Sequence, residues 1–327
     1  MKIAVVYQKN PPPVGDNIVK PMKKGGYSDS GADIGYCLQI NGVEVVTPVE
    51  KPSVYEDFDW VFPDTPQGIH QAVERGAQIL WLNTVLYEGH PVESYIEQGG
   101  RVIGQLPSDV DRYDDKLLTN RLLLQKGFPV AEQSLVSKAP EYTGNFPCVL
   151  KPIRGRGSQG VVAAHSINEL EEALEAALQS GLYGDHMMIE EYLPGREVTV
   201  SVLPDGRCLP VVERLNHVNG IAPYNGKVAV TENSRAIPSD EPLTALCQAC
   251  SQVAKELKLK ALIRIDCRQN AHGDYKMFDI NMKPNMTGAS RPHRQNQDSL
   301  TMIAAKAKGM TYFDLLKVLI ETQWGKF

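Results

Sequence analysis

A loop with three glycines between two apolar segments most constrains how this chain can fold. Residues 151 to 160 are Lys-Pro-Ile-Arg-Gly-Arg-Gly-Ser-Gln-Gly, with Pro147–Leu150 before them and Val161–Ala164 after them. The flanking segments have the short apolar composition of β-strands. A lysine beside glycine-rich backbone offers a positive charge and exposed N–H groups, which is how many proteins hold phosphate oxygens. The segment therefore predicts two strands joined by a phosphate-binding loop.

The glycine spacing also fits a different kind of site. Gly155-x-Gly157-x-x-Gly160 matches the dinucleotide-binding fingerprint, in which the loop opens directly into a helix that faces the pyrophosphate. Here a second strand follows the loop. The next helix begins only after Ser166, and Glu169 completes a predicted capping box. We therefore reject the dinucleotide interpretation and favour a hairpin flap over a nucleotide.

Size and composition bound the class of protein. With 327 residues, the chain is long enough for two or three α/β units of ordinary size. The net charge of −5 argues against broad binding to nucleic acid or to an anionic membrane, because both need a basic surface. No apolar run reaches transmembrane length, and Lys2–Tyr7 predicts a first β-strand rather than a signal peptide.

The cysteines indicate a reducing compartment. Six of them are scattered along the chain, mostly inside apolar segments, as reduced core thiols are. Cys247 and Cys250 form one C-x-x-C spacing within a helical pattern, and no second pair accompanies them. A packed helix face is therefore a better interpretation than a zinc site. We expect a cytoplasmic protein.

The first hundred residues alternate between strand and helix patterns. The predicted strands are Lys2–Tyr7, Glu44–Pro48, Trp60–Phe62, Ile79–Leu82 and Arg101–Gly104. Helical stretches such as Gln67–Arg75 and Val92–Gln98 lie between them, which predicts a parallel sheet covered by helices. Residues 8–30 interrupt this pattern with prolines, glycines and four lysines. A loop of this length is typical of a functional lid or of a disordered segment.

Two further domains follow, so the predicted boundaries are 1–106, 107–193 and 194–327. The central domain holds the glycine flap and a helix at Leu117–Lys126 that Asp115 opens. The break at Leu193-Pro194-Gly195 predicts a hinge. The last domain contains two predicted hairpins, Glu197–Leu203 with Cys208–Glu213 and Ala261–Arg268 with Lys276–Met282.

The second of these hairpins gathers polar side chains. The two-residue period of a strand places Arg264, Asp266 and Arg268 on one face, and Asp279 and Asn281 on one face of the returning strand. The opposite face of that strand is predicted to carry Phe278, Ile280 and Met282. If the polar faces coincide, Asp266, Asp279 and Asn281 supply the oxygen ligands that Mg²⁺ prefers. A solvated sheet face is the alternative, but the nearby phosphate flap favours the metal site.

Five short motifs occur in a fixed order over roughly residues 107–325. They are Asp115-Lys116, Val149-Leu150-Lys151-Pro152 with its flap, Ile189–Leu193 followed by Gly195-x-Glu197-x-Thr199, Arg264-Ile265-Asp266, and Asp279-x-Asn281 followed by Pro284-x-Met286-Thr287 and Ser290. In this order they resemble the ATP-grasp enzymes, closest to the D-alanine–D-alanine ligase branch. Ligases that finish mycosporine-type sunscreens resemble the same branch. The resemblance implies an ATP-grasp fold, α+β in its C-terminal lobes, behind an N-terminal parallel α/β domain.

The resemblance also implies roles for the matching residues. The implied contacts to ATP are Lys116, Lys151, Gly157, Ser158 and Lys227 for the phosphates, and Glu190, Leu193 and Glu197 for adenine and ribose. Asp266, Asp279 and Asn281 would hold two Mg²⁺ ions, with Mn²⁺ as an alternative. The implied catalytic residues are Arg264 beside the transferred phosphoryl group, Lys227 at the γ-phosphate, Asn285 in the loop after the metal ligands, and Ser290 at the carboxylate of the attacking amino acid.

The implied reaction has two steps. ATP phosphorylates a substrate oxygen, in this family a carboxylate, and an amine then displaces phosphate to form a C–N bond. Cations and Mg²⁺ suit the charge of a transferring phosphoryl group, and a closed flap would protect a water-sensitive intermediate. The partners are therefore small molecules, and the family leads us to expect a homodimer.

Several positions depart from the D-alanine–D-alanine ligases. Their flap serine that helps to hold the first amino acid is replaced by Gly157, the residue after Lys227 is Val228, and residues 8–30 contain no glutamate that matches theirs. Asn285 replaces a usual glycine, and Asp279 replaces a commoner glutamate. The nucleotide half is thus intact while the first-substrate half is rebuilt, which argues against D-alanine as first substrate.

Three functions remain open from the sequence. The chain is a ligase for a carboxylate other than that of D-alanine, or it condenses an amino acid with a mycosporine-type cyclohexenone to an imine, or it binds nucleotide without catalysis. The retained lysines, arginine and metal ligands argue against the third. Because guanidinium groups suit carboxylates, we also hypothesise that Arg291 or Arg294, next to Ser290, binds a second acidic group of the substrate.

Overall fold

Three separate β-sheets organise the protein. The computed structural model describes residues 1–15, 17–20, 22–137, 142–155, 157–222, 230–238 and 243–325. Its sheets have five, four and five strands in chain order, the first parallel and the other two antiparallel. The predicted α/β class, with antiparallel sheets in the C-terminal part, is confirmed.

The N-terminal sheet is built around its first strand, which pairs with three others. The strands are β1 (Lys2–Tyr7), β2 (Glu44–Val45), β3 (Val61–Pro63), β4 (Ile79–Asn83) and β5 (Arg101–Ile103). β1 pairs in parallel with β2, β3 and β4, and β4 pairs with β5. The helices are α1 (Ser28–Ile40), α2 (Pro66–Glu74) and α3 (Val92–Glu97). α1 begins inside the segment that the sequence predicted to be a loop, because the glycines and lysines before it obscure its start.

The central sheet carries the glycine flap. Two helices lead into it, α4 (Pro107–Tyr113) and α5 (Lys116–Gln125). The strands β6 (Gln133–Val136), β7 (Cys148–Lys151), β8 (Val162–Ala164) and β9 (Met187–Glu191) are antiparallel in the order β6-β9-β7-β8, with α6 (Ile167–Gln179) against them. Ser166 caps α6 by accepting a hydrogen bond from the Glu169 N–H, while the Glu169 carboxylate accepts from the His165 N–H. The predicted capping box is therefore modified: the Glu169 carboxylate binds the N–H of His165, one residue before the N-cap, instead of the N–H of Ser166.

The C-terminal sheet places the predicted metal hairpin at its edge. Its strands are β10 (Glu197–Val202), β11 (Val212–Arg214), β12 (Ser234–Ala236), β13 (Ile263–Gln269) and β14 (Tyr275–Asn281), in the order β12-β11-β10-β13-β14. The helices are α7 (Thr244–Glu256), α8 (Leu300–Ala307) and α9 (Tyr312–Ile320). Among the described residues, no helix is both long and apolar enough to cross a bilayer.

A salt-bridge cluster joins α1 to the loop before α8. Arg291 is fully buried, and its guanidinium donates to Asp33 Oδ1 at 2.8 Å and lies 2.7 Å from Asp57 Oδ1. Arg294 donates to both oxygens of Asp33, at 3.0 and 2.9 Å, and to Asp29. Burial raises the pKa of the Asp33 carboxyl, and the two guanidinium groups offset part of that rise.

This cluster changes the interpretation of Arg291. The sequence suggested that Arg291 or Arg294 binds an acidic group of the substrate, but Arg291 has no exposed surface and its donors are occupied by Asp33, Asp57 and backbone carbonyls. Arg291 therefore holds α1 and the loop before α8 together. The basic cluster in the sequence reflects a contact between distant parts of the chain, since its acidic partners lie more than 200 residues away.

We expect Arg291→Met to destabilise the protein by about 3–5 kcal/mol, since it leaves the buried Asp33 carboxylate short of its main partner. Arg294→Met removes a side chain that is 17% exposed and should cost less. Adding Asp33→Asn to Arg291→Met should recover part of the loss. Urea unfolding midpoints measure all three. An unchanged midpoint for Arg291→Met, together with a raised substrate KM, would restore the substrate role.

Candidate active site

The glycine loop is a hairpin flap, as predicted. β7 and β8 pair antiparallel, with Cys148 opposite Ala164, and the loop lies between them. Gly157, Ser158 and Gly160 all have positive φ, at 62°, 59° and 70°. A serine in this left-handed region is uncommon, while glycine adopts it without a steric penalty. The two glycines therefore let the flap turn over the cleft and leave the Ser158 side chain at its wall.

Below the flap lies a cleft of about 800 Å³, counted with its open mouth, between the central and C-terminal sheets. Its walls contain most of the residues predicted to contact ATP: Lys116, Lys151, Gly157, Ser158, Glu190, Leu193 and Glu197, together with the predicted metal ligand Asp279. Lys227 falls outside the described residues. The structure thus brings together side chains that are up to 163 residues apart in the chain.

Lys151 connects the two sheets at the floor of the cleft. It ends β7, is 5% exposed, and donates to Glu190 Oε2 at 2.7 Å and to the Phe278 carbonyl at 3.1 Å. Burial raises the pKa of the Glu190 carboxyl, and the Lys151 charge offsets part of the rise. The ammonium is therefore held in place by one strand from each side of the cleft.

Phe278 lies on the opposite side from the one predicted. Asp266 pairs with Asp279, but the next residue of β13, Cys267, pairs with Met277, so Phe278 is an extra residue in β14. Such a bulge redirects a side chain. Phe278 lines the cleft, and its ring centroid lies 5.4 Å from Lys151 Nζ. The strict two-residue alternation assumed from the sequence fails here because of the bulge.

Lys116 links the start of α5 to the flap and to β14. Asp115 caps the helix by accepting from the Leu118 N–H at 2.8 Å, which fixes Lys116 as the first helical residue. Lys116 Nζ donates to the Gly155 carbonyl of the flap loop at 3.1 Å and lies 2.9 Å from Asp279 Oδ1. One lysine therefore reaches both the phosphate flap and a predicted metal ligand.

The predicted metal ligands face each other across the β13–β14 hairpin. Asp266 lies directly opposite Asp279, and Arg264 lies opposite Asn281. Arg264 donates to both oxygens of Asp266 at 2.8 Å, and Thr199 Oγ1 donates to Oδ1 at 2.6 Å. Although burial alone would raise it, the pKa of Asp266 is lowered by Arg264 and by these hydrogen bonds. Asp266 is therefore held ionised.

This donor set fits a hard divalent cation. It consists of two carboxylates and one amide oxygen, the ligand types that Mg²⁺ prefers. Among the described residues, no group of three or more His, Cys, Asp or Glu side chains is placed to bind a metal. A cation here would therefore take its remaining ligands from water and from substrate phosphates, as Mg²⁺ commonly does.

The structure adds residues near Glu197 that the sequence interpretation missed. Glu197 Oε2 lies 2.8 Å from His217 Nε2 and 3.8 Å from Arg268 Nη1. The Arg268 guanidinium also lies 5.6 Å from the centroid of the Tyr192 ring at the hinge. Arg268 could have been predicted as a site residue from the sequence, because strand alternation placed it on the same face as Arg264. His217 lies in an irregular loop whose sequence gives no comparable signal.

Ser290 and Asn285 lie on the loop between β14 and α8. Ser290 Oγ donates to the Asp33 carbonyl at 3.3 Å, so it adjoins the salt-bridge cluster at α1. Asn285 Oδ1 accepts from the N–H and Oγ1 of Thr287, at 3.0 and 2.8 Å. In this conformation Asn285 shapes the turn, and its catalytic role stays a prediction.

A glycine flap on one antiparallel sheet, facing a second sheet across a cleft lined by lysines and carboxylates, defines an ATP-grasp enzyme. The family model for the D-ala D-ala ligase C-terminus matches residues 120–321, and the chain belongs to this family. The chain is an ATP-dependent ligase that forms carbon–nitrogen bonds.

Relatives in sequence support this assignment, and a solved structure supports the fold. The D-alanine–D-alanine ligase of Aquifex aeolicus is 31% identical over 212 residues, covering 63% of this chain and 68% of that protein. The enzyme of the same name from Methylacidiphilum infernorum is 28% identical over 302 residues, covering 90% and 88%. The structure of D-alanine–D-alanine ligase from Bacillus anthracis superposes with a TM-score of 0.71 at 20% identity, over 98% of this chain and 97% of that one. At that identity the superposition shows the fold alone.

We expect Lys116→Ala to weaken binding of ATP by about 10–100-fold, because a charge-assisted hydrogen bond to phosphate contributes about 1.5–3 kcal/mol. Lys126→Ala is the matched control, since Lys126 lies at the other end of α5 and pairs with Glu256 on the surface. Isothermal titration with a non-hydrolysable ATP analogue measures both. Equal affinities in the two variants would remove Lys116 from the nucleotide site.

Proposed function

We propose that this ligase activates an acceptor substrate by phosphorylating one of its oxygens and then joins the activated carbon to an amino-acid amine. In the first step the γ-phosphoryl group passes from ATP to the acceptor oxygen, leaving ADP. In the second the amine nitrogen attacks the carbon, the C–O bond breaks, and inorganic phosphate leaves. The observation that supports this most is that Lys116 contacts both the Gly155 carbonyl of the flap loop and Asp279, which lies opposite the Arg264–Asp266 pair of β13.

Each part of the cleft has a role in this reaction. Lys116, Lys151 and Ser158 would hold the phosphates, and Arg264 would neutralise charge on the phosphoryl group in transfer. Glu190 and Leu193 would meet adenine, and Glu197 ribose. Ser290 would orient the attacking amino acid through its carboxylate.

Asp266, Asp279 and Asn281 would hold Mg²⁺, and Mn²⁺ would suit the same oxygen ligands. The divalent ion supplies charge neutralisation of the phosphate oxygens. The ion count of two stays a prediction.

The acceptor is proposed to be something other than D-alanine. Between β1 and Asp33 the described carboxylates are Asp29 and Asp33, and both are paired with cations: Asp29 with Lys23 at 2.8 Å and with Arg294, and Asp33 with Arg291 and Arg294. Neither is left to bind a substrate ammonium. In addition, Gly157 stands where the D-alanine–D-alanine ligases have the flap serine that helps to hold the first amino acid. An acceptor without an ammonium group fits this surrounding better than an amino acid does.

The pairing of Asp29 and Asp33 with cations also favours an imine as an alternative to an amide product. A cyclohexenone of the mycosporine type carries no ammonium, and phosphorylation of its enol oxygen followed by attack of an amine gives an imine. A carboxylic acid without an ammonium group gives an amide by the same steps. The substrates are small molecules in either case. Cytoplasmic location and a homodimer stay predictions.

Release of phosphate from ATP and Mg²⁺ distinguishes these outcomes. Amino acids would be tested singly, in pairs, with a non-amino carboxylic acid and with a cyclohexenone. Turnover only with an acceptor that lacks an ammonium group supports the proposal. Turnover with D-alanine alone contradicts the acceptor assignment, and turnover with amino-acid pairs but not with the cyclohexenone excludes the imine. Absence of any thermal shift on adding nucleotide would contradict the reaction itself.

We expect Asp266→Asn and Asp279→Asn each to raise the Mg²⁺ concentration for half-maximal ADP release by at least about tenfold, because each removes a charged ligand oxygen. Asp274→Asn is the control, since this exposed residue lies in the turn of the same hairpin. A Mg²⁺ titration at saturating ATP compares the three. If all three variants require the wild-type Mg²⁺ concentration, the hairpin does not hold the metal.

A further inference from the structure

The loop between β1 and α1 reaches the chain beside the central sheet. Ile18 forms an isolated antiparallel bridge with Tyr183, which lies between α6 and β9, and the Val19 N–H donates to the Leu182 carbonyl at 2.9 Å. The Ile18 side chain is only 5% exposed. Residues 18–20, which we call the latch segment, are therefore docked next to a sheet to which their own neighbouring strand does not belong.

The two ends of this loop are fixed to each other and to the N-terminal sheet. The Gln8 N–H donates to the Gly26 carbonyl at 2.9 Å, and the Lys9 N–H donates to Asp64 Oδ1 at 3.0 Å. Glycine is required at position 26, because its φ is 57° and a Cβ there would lie 1.7 Å from the Gln8 carbonyl oxygen. A loop whose ends are joined in this way presents its tip in a restricted set of positions.

Lys20 binds the acidic end of α4 together with a residue of the flap loop. Lys20 Nζ lies 2.8 Å from Asp114 Oδ2 and 3.7 Å from Asp111 Oδ1, and its side chain is 9% exposed. Carboxylates at the C-terminal end of a helix are disfavoured by the helix dipole and so need cations. Arg154 supplies the second cation, since its Nη1 donates to the Asp111 carbonyl at 2.8 Å and to Oδ1 at 3.2 Å. The latch segment and the entry of the flap thus share Asp111.

The exit of the flap contacts the residue that pairs with Ile18. A Cβ at Gly160 would lie 2.7 Å from Tyr183 Cζ and 3.0 Å from Pro152 Cγ, so the tyrosine ring packs directly on the last glycine of the flap. Because the backbone of Tyr183 pairs with Ile18, the latch segment supports this contact as well. Both ends of the flap therefore touch groups that the latch segment holds.

We propose that the latch segment holds the phosphate flap closed, with Lys20 as the positioning residue. The inference rests on the proposed function for one point, namely that the flap covers the phosphates of ATP. None of residues 18–20 lines the nucleotide cleft, so Lys20 acts through Asp111 and Arg154. Removing one partner from a group of shielded charges leaves the others uncompensated, so loss of Lys20 loosens the flap entry.

The latch also connects the flap with the substrate side of the site. The loop that carries it continues into α1, and the Asp33 carbonyl of α1 accepts from Ser290, the residue proposed to orient the amino acid. One loop therefore adjoins both the amino-acid position and the phosphate flap. Closure of the flap excludes water from an activated intermediate, so this loop would link substrate binding to that protection.

Limited digestion with trypsin reports opening of the flap. The flap offers trypsin two sites, after Arg154 and Arg156, whereas Lys20 is followed by Pro21, a bond that trypsin does not cleave. Lys20→Gln therefore leaves the number of sites unchanged. We expect it to speed flap cleavage about tenfold, the value of one charge-assisted hydrogen bond, because cleavage follows the population of the open flap. Lys20→Arg keeps the charge and should keep the slow rate.

Controls separate the latch from a general loss of stability. Lys24→Gln changes an exposed lysine of the same loop and should leave the rate of flap cleavage unchanged. Cleavage after Arg207, in the exposed turn between β10 and β11, is the reference within each digest, and the urea midpoint reports global unfolding. Ile18→Ala removes a buried side chain of the latch segment without changing its charge, and it should also speed flap cleavage.

The latch is overturned if the flap of Lys20→Gln is cleaved at the wild-type rate, if cleavage after Arg207 rises by the same factor, or if Ile18→Ala has no effect. A saturating non-hydrolysable ATP analogue with Mg²⁺ tests the proposed function separately, since it should slow flap cleavage in wild-type protein and in Lys20→Gln. Faster cleavage of Lys20→Gln without protection by the analogue keeps the latch and contradicts the role of the flap over the phosphates. Protection without an effect of Lys20→Gln keeps that role and contradicts the latch.

Discussion

Two carboxylates that face each other across neighbouring strands, Asp266 and Asp279, are the constraint on which the nucleotide cleft depends. Like charges at such directly opposed positions repel, and partial burial strengthens the repulsion. Two cations offset this repulsion: Arg264 binds Asp266 from the same strand, and Lys116 reaches Asp279 from α5. Because Lys116 also holds the Gly155 carbonyl, the acidic pair fixes the positions of a helix, the flap and the sheet edge together.

This arrangement suits the exchange of one cation for another. In the proposed function, a divalent ion at the acidic pair would take over the neutralisation that Lys116 supplies at Asp279. Lys116 would then be available to a phosphate a short distance away, on the same side of the flap. Lys151 keeps its own carboxylate partner, Glu190, in the buried floor of the cleft. The site therefore contains one cation that is fixed and one that can change partners, and nucleotide and metal would bind as a unit.

Local patterns in the sequence were enough to predict the flap and the metal hairpin. Turn residues and strand alternation predict the hairpin and group its polar residues by face, but a regular register would place Asp266 opposite Phe278, and the bulge brings Asp279 opposite Asp266 instead. Apolar strands on both sides of a glycine loop define the flap. The extra residue at Phe278 could not be predicted, because a bulge breaks the period on which the interpretation rests. The contact of Arg291 with Asp33 joins residues 258 positions apart, so no local pattern reveals it. The close approach of α1 to the N-terminal sheet, where a Cβ at Gly31 would lie 2.7 Å from Val61 Cγ1, is likewise shown only by the assembled structure.

The two halves of the site differ in what holds them in place. The nucleotide half is formed by paired strands and a helix start, and its charged groups satisfy one another across two sheets. In the proposed function, the substrate half would lie beside Ser290, whose Oγ donates to the Asp33 carbonyl of α1 at 3.3 Å. The fully buried Arg291–Asp33 salt bridge holds α1 and the loop before α8 together at this point. Residues around this contact would therefore set substrate specificity while the phosphoryl-transfer groups remain as they are, provided that the buried salt bridge is kept.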